Sequence, residues 1–341
     1  MAAGAGPRAR AEPFYNPAMA LDRDLGVALV RALEPPPETG WETHAATGVR
    51  GLRLLAESGA FRSFVFTEAN ARSFEVLRAN LAGEPRATAR LADALEVEPE
   101  APFSYVDVDP YGSPLRFLTR ALGATAPGGV LAVTATDMMV LAGAQPSACR
   151  RRYGANPVRG RLGPEGALRI LLRTIDREAR AVGRTVEPLL AYVGSHHVRA
   201  YVRLPVASGA PSPVDVIDPG RWDGPPLPGL APLGPFWLGP IVAPALARRL
   251  AVPESAAEPV RLARFLDALR DDARVPRPFY FEANVLARAL GLPRPPAIER
   301  VLVALTDAGF AAGRTHVRPE GIRTDAPRPA VEEAARRAAG R

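Results

Sequence analysis

With 341 residues, 47% of them hydrophobic and 23% charged, the chain is long enough for two packed domains and has the balance of an ordinary globular protein. A single cysteine, Cys149, excludes an internal disulfide and a cysteine-rich zinc site, so a reducing cytoplasm is the expected compartment and no metal is expected. All 43 basic side chains are arginine and the formal charge is +7, a bias that coding preference explains and that suits an RNA partner, because guanidinium groups grip phosphates and stack on bases.

Residues 1–12 carry Arg8 and Arg10 but no apolar run of the signal-peptide kind, and no stretch is long and apolar enough to span a bilayer. From there apolar β-like runs alternate with amphipathic helical ones, the pattern of a parallel sheet covered by helices. Strands are predicted at 43–47, 64–67, 87–91, 103–108 and 129–134, with helices over 48–58, 70–81 and onward from Pro114. Two further strands, 187–193 and 197–204, flank Gly194-Ser195-His196 and read as a hairpin. A parallel sheet closed by such a hairpin is the arrangement of the class I methyltransferases. Residues 1–206 are therefore predicted to form one Rossmann-like domain, entered through an N-terminal segment. The proline- and glycine-rich stretch 207–239 reads as a linker, 240–325 as a C-terminal α+β winged-helix-like domain with helices over 260–269, 282–290 and 296–308 and a wing over 310–317, and 326–341 as a frayed tail.

In open α/β sheets, ligands gather beyond the carboxyl ends of the strands. Asp107-Val108-Asp109-Pro110-Tyr111-Gly112-Ser113-Pro114 follows an apolar strand with a carboxylate, a rigid proline and an aromatic ring. Acceptors beside a stacking face suit a flat base bearing an amine, although an Asp-Pro turn with an exposed tyrosine is the plain alternative. Three more strand ends carry fitting groups. Ala46-Thr47-Gly48-Val49-Arg50-Gly51 permits close backbone approach, Glu68 can accept two ribose hydroxyls, and Asp93 can meet an adenine amine. The turn lacks the G-x-G-x-x-G fingerprint, which disfavours a nicotinamide or flavin. Arg150, Arg151, Arg152, Arg159 and Arg161 follow the fifth strand, where they form either a phosphate contact or a solvated face. His196 and His197 read as ordinary hairpin polar residues, and Thr315-His316 as a wing touching RNA or as a cap or core pair.

Together with Phe14-Tyr15-Asn16-Pro17, Met19, Leu21, Arg23 and Asp24, Thr134-Ala135-Thr136-Asp137, Cys149 to Ala155, His197-Val198-Arg199 and Thr315 to Thr324, these motifs resemble the tRNA (guanine-26) N2-dimethyltransferases from residue 14 to about residue 325. The resemblance implies an S-adenosylmethionine-dependent enzyme that methylates the N2 amine of a flipped tRNA guanine. Arg23, Arg53, Glu68, Asp93 and Ala94, with Arg50 as their neighbour, would hold the cofactor. Asp109 would be the catalytic carboxylate, Tyr111 the platform under the base and Phe14 a wall of the same pocket, with Pro110 and the arginines after strand five on the substrate side. Glu68 stands where an Asp is more usual, Tyr111 where a Phe is, and Asp22 where an Asn is, and the zinc-binding cysteines of some relatives are missing. Another base-amine methyltransferase and a noncatalytic RNA-binding relative are the alternatives. The number of methyl groups added and the oligomeric state stay open.

Overall fold

The computed structural model describes residues 15–207 and 211–340, so Phe14 lies outside the described residues. Asn16 caps a short turn by accepting from Ala18 N, and helix α1, Ala20–Ala32, follows. Then come β1 (Thr39–Glu42), α2 (Val49–Glu57), β2 (Ser63–Glu68), α3 (Ala71–Leu81), β3 (Ala87–Leu91), β4 (Phe103–Val108), α4 (Leu115–Ala124), β5 (Thr125–Ala135), the short α5 (Met138–Leu141), α6 (Pro146–Tyr153), α7 (Gly163–Ala181), β6 (Glu187–Val193) and β7 (Val198–Arg203). The seven strands form one sheet in the order β3-β2-β1-β4-β5-β7-β6. β1 to β5 pair with one another in parallel, and β7 runs antiparallel to both its neighbours, β5 and β6, as the hairpin predicted.

Strand order reverses between β1 and β4, because the chain moves outward through β2 and β3 and then returns to the other side of β1. This switch point opens a crevice at the carboxyl ends of β1 and β4. β1 itself lies four residues earlier than its sequence suggests. Gly40 argues against a strand, yet the Phe64 ring fills the place of its side chain, 2.3 Å from where a Cβ would sit, and Trp41 is fully buried. Residues 43–48 form the loop that follows.

Beyond the sheet, the predicted linker is partly ordered structure. β8 (Val214–Ile217) and β9 (Leu233–Trp237) pair antiparallel, and Leu233, Phe236 and Trp237 are buried in the main core. The prolines there hold a packed irregular segment rather than a spacer. After α8 (Pro244–Arg249), helix α9 (Pro259–Ala273) also belongs to that core through Leu262, Leu266 and Leu269, as do Phe279 and Tyr280. A second core begins at β10 (Phe281–Glu282) and is built by α10 (Ala283–Leu290), α11 (Ile298–Asp307), β11 (Ala312–Thr315) and β12 (Arg318–Thr324). The tail expected to fray is α12 (Arg328–Ala339), whose Val331, Ala334, Ala335 and Ala338 form an apolar stripe at helical spacing and complete this second core.

Candidate active site

At the switch point lies a cavity of about 420 Å³. Of the residues singled out from sequence, Arg23, Arg50, Glu68, Asp109, Pro110 and Tyr111 line it. Each is set there by a strand end or a helix start: Glu68 closes β2, Asp109 follows β4, Arg50 opens α2 and Arg23 lies in the first turns of α1. Tight local geometry fixes the loop between them. Ala46 adopts φ 48°, a conformation a side chain resists, and its N–H donates to Glu68 Oε2 at 2.8 Å. Glu68 Oε1 accepts from Asn70 N at 2.8 Å, so the carboxylate is held by backbone with lone pairs left for a diol. Gly51 has no room for a Cβ, being pressed between Phe66 and Glu42.

Arg50 and Asp109 form the electrostatic centre. Arg50 Nη2 lies 2.8 Å from Asp109 Oδ2, while its Nη1 is buried without a hydrogen-bond partner. Burial and the nearby Arg199 work against the Arg50 charge, yet Asp109 and Asp107 outweigh them and hold it above its ordinary range. Beneath, Asp107 Oδ2 accepts from Arg199 Nη2 at 2.5 Å and from the Tyr105 hydroxyl at 3.0 Å. Burial alone would raise the Asp107 carboxyl, but Arg199 and Arg50 keep it low. An unpartnered guanidinium nitrogen in such a place suits an anionic group such as a carboxylate.

His196 and His197 line the cavity as well, whereas several other residues singled out from sequence are elsewhere. Arg53 does not line the cavity: its Nη1 donates to Asp24 at 2.6 Å, and Nε and Nη2 grip both oxygens of Glu57 at 2.6 and 2.7 Å. The i,i+4 spacing along α2 turns it toward α1 and away from the crevice. Asp93 Oδ1 caps Leu95 N and its Oδ2 meets Arg116 at 3.2 Å, beside the cavity rather than in its lining, with Ala94 buried next to it. Arg150, Arg151, Arg152 and Arg159 are exposed on and after α6. Arg152 pairs with Asp137 and Arg150 bonds Asn156 and Ser147, whereas Arg151 and Arg159 make no ion pair among the described residues. Thr315 and His316 are buried at Asp272, so a direct RNA contact through them is excluded and the core alternative holds.

Residues 8–212 and 230–336 match the family described as N2,N2-dimethylguanosine tRNA methyltransferase. The chain belongs to this family. The tRNA (guanine(26)-N(2))-dimethyltransferase of Thermococcus kodakarensis is 34% identical, over 94% of this chain and 92% of its own length, and that of Pyrobaculum arsenaticum 33%, over 95% and 91%. The structure of Trm1 from Pyrococcus horikoshii with S-adenosyl-L-methionine superposes with a TM-score of 0.83 at 30% identity, covering 96% of each chain. As in the class I methyltransferases, the seven-stranded sheet with its antiparallel β7 frames the site.

In this N2,N2-dimethylguanosine tRNA methyltransferase family member, two lining residues, Glu42 and His44, went unnoticed in the sequence, and a third, His197, was read as plain. Glu42 ends β1 and accepts from Gly51 N at 3.2 Å, and burial together with Asp107 raises its carboxyl to about 8. His44 follows it, pushed down to about 4 chiefly by burial. His197, read as an ordinary strand residue, is buried with Nε2 2.8 Å from Asp22 Oδ1, which also accepts from Tyr192 at 2.9 Å. Placing β1 four residues late hid the first two, since Glu42 then fell before the strand and His44 inside it.

Proposed function

We propose that this chain is a tRNA (guanine-26-N2)-dimethyltransferase that carries methyl groups from S-adenosyl-L-methionine to the exocyclic amine of a flipped guanine, and that it works in the cytoplasm. The observation that carries the reading is one cavity, at the switch point of the sheet, that gathers Glu68, Asp109 and Tyr111 around a buried guanidinium with an orphaned nitrogen. That orphan fits the cofactor: Arg50 Nη1, with Arg23 in the same lining, would meet the amino-acid carboxylate, and Glu68 the ribose hydroxyls. When bound, the cofactor supplies a methyl carbon on a sulfonium, open to in-line attack by a nitrogen lone pair.

The protein's part is positioning. Tyr111 is 58% exposed, so its ring is accessible to a base that has left its stack. Pro110, buried behind it, stiffens the turn, and Gly112 N donates to Thr136 Oγ1 at 2.6 Å to pin that turn to the end of β5. Asp109 accepts from the amine and stabilises the positive charge that grows on nitrogen, and it takes the proton that the product amine sheds. For the carboxylate to do so, its pairing with Arg50 must loosen as the orphaned side of that guanidinium finds an anion. Phe14 is proposed as the outer wall and Asp93 and Ala94 as the adenine side. Arg151 and Arg159 are read as phosphate contacts, with the unit built on the second core from Phe281 onward, winged-helix-like in its helices and paired strands, as a second tRNA surface.

Unmodified tRNA treated with the protein and isotope-labelled cofactor, then digested and analysed by mass spectrometry, should yield labelled N2-methyl- and N2,N2-dimethylguanosine from position 26. Label on another base or on no base would overturn the reading.

A further inference from the structure

His44 sits in the cavity wall with the hydrogen on Nδ1 fixed by the geometry. Its Nδ1 lies 2.7 Å from Thr43 Oγ1, and that hydroxyl donates its only proton to the Asp107 carbonyl at 2.8 Å. A carbonyl cannot return a proton, so the threonine oxygen acts as acceptor toward the ring, and Nδ1 carries the hydrogen. A neutral ring then has a bare lone pair on Nε2. The ring is neutral near pH 7, because burial outweighs the opposite charges of Asp109 and Asp93 and brings it to about 4. Edge-on packing against Phe117, with centroids 4.4 Å apart at 80°, holds the plane in place. Nε2 meets no hydrogen-bond partner among the described residues, nor is it enclosed as a buried orphan, and the residue lines the cavity with Asp109.

The cavity thus offers two neighbouring acceptors, a carboxylate and an imidazole lone pair. On its Watson–Crick edge guanine places an N1–H directly beside the N2 amine, two adjacent donors. Adenine and cytosine place a bare ring nitrogen beside their amines, which would set lone pair against lone pair. We propose that His44 is a specificity-determining residue, whose Nε2 accepts the N1–H of the target base while Asp109 accepts from its amine. This rests on the function proposed above and adds what selects guanine among amine-bearing bases: an N–H next to the amine, read by a side chain that has no donor to offer.

The test uses two tRNA transcripts, one with guanine and one with 2-aminopurine at position 26. The second keeps the 2-amino group but has a bare N1. Wild-type protein should methylate guanine in preference, and His44→Ala should collapse that preference by roughly tenfold to a hundredfold, slowing guanine while leaving 2-aminopurine nearly unchanged. Cofactor affinity, measured by calorimetry on the same variant, should stay within about threefold of wild type, which also certifies the fold. An unaltered preference, or equal slowing of both substrates, would overturn the assignment. So would a large loss of cofactor affinity, which would put Nε2 on the cofactor's adenine amine instead. Should His44→Ala not fold, His44→Leu keeps bulk against Phe117 without an acceptor and is read in the same way. Wild-type protein that leaves guanine unmethylated would sink the underlying function and this inference with it. Methylation with an unmoved preference would sink this inference alone.

Discussion

Two buried ionic clusters lie within this one fold, and they are finished differently. Between the main core and the C-terminal unit, Arg323 grips Glu165 with both amino groups at 3.0 Å and pairs with Asp272. Arg169 approaches the same Glu165 at 2.7 Å, and His316 is set between Asp272, 2.5 Å from Nδ1, and the Ala191 carbonyl, 2.8 Å from Nε2. Each charge there faces an opposite one. Burial would raise the carboxyls of Glu165 and Asp272, but the arginines and the histidine keep both low. Under the cavity Arg50 Nη1 is buried without a hydrogen bond, whereas Arg323 Nε and His316 Nδ1, which also lack one, each lie against Asp272, and Glu42 is pushed up to about 8. Closed charge holds two parts of a chain together, whereas charge left open is available to a ligand.

The sharpest way to break that contrast is to open the closed cluster. Arg323→Met removes the cation shared by two buried carboxylates, leaving Glu165 to Arg169 and Asp272 to His316 and Thr315, and should lower stability by about 3–5 kcal/mol, read from the midpoint of urea unfolding. A loss under about 1 kcal/mol would mean the network is not the latch described. Next in size, Asp109→Ala should reduce turnover on the order of 10²–10³-fold while cofactor affinity and unfolding midpoint stay near wild type. If affinity and midpoint fall with turnover, Asp109 serves structure like its counterparts in the other cluster. Tyr111→Ala should weaken productive tRNA binding by about 1–3 kcal/mol, seen as a raised KM for tRNA, since stacking is removed from an exposed ring.

The smallest effect concerns Glu42. Its folded-state value of about 8 stands above the ordinary 4.5, so the folded protein holds a proton that the unfolded chain releases. That contribution to stability is fully present below 4.5 and fades as pH rises toward and through 8. Glu42→Gln mimics the neutral acid. It should match wild type near pH 5 and become the more stable of the two by pH 8.5, a difference measurable by thermal melts across that range. Parallel curves would show that Glu42 is ionised throughout.

Much of the scaffold was legible because it follows periodicity. The β-α alternation, the closing hairpin and the helices after Glu282 are all written in apolar spacing, and the acids at 68 and 109 stood out as strand-end residues. What misled were local signals that packing overrode. Gly40 disguised β1 because its partner is a Phe64 ring from another strand, and prolines between 207 and 239 disguised β8 and β9. Arg53 and Arg50 are three residues apart on one short helix, close enough in sequence for either to be the cavity arginine. Only the contacts with Asp24 and Glu57 decide which one turns away.

The division of the cores has a practical meaning for anyone who would take the enzyme apart. Because α9, Phe279 and Tyr280 are packed with the sheet, and Arg323 reaches back from β12 to α7, a cut at residue 206 or 240 would strip apolar cover from the very half it was meant to isolate. The catalytic half and its appendage should therefore express well only as one piece, and swapping C-terminal units between relatives should succeed only where the exchanged segment begins after Tyr280 and brings a matching arginine with it.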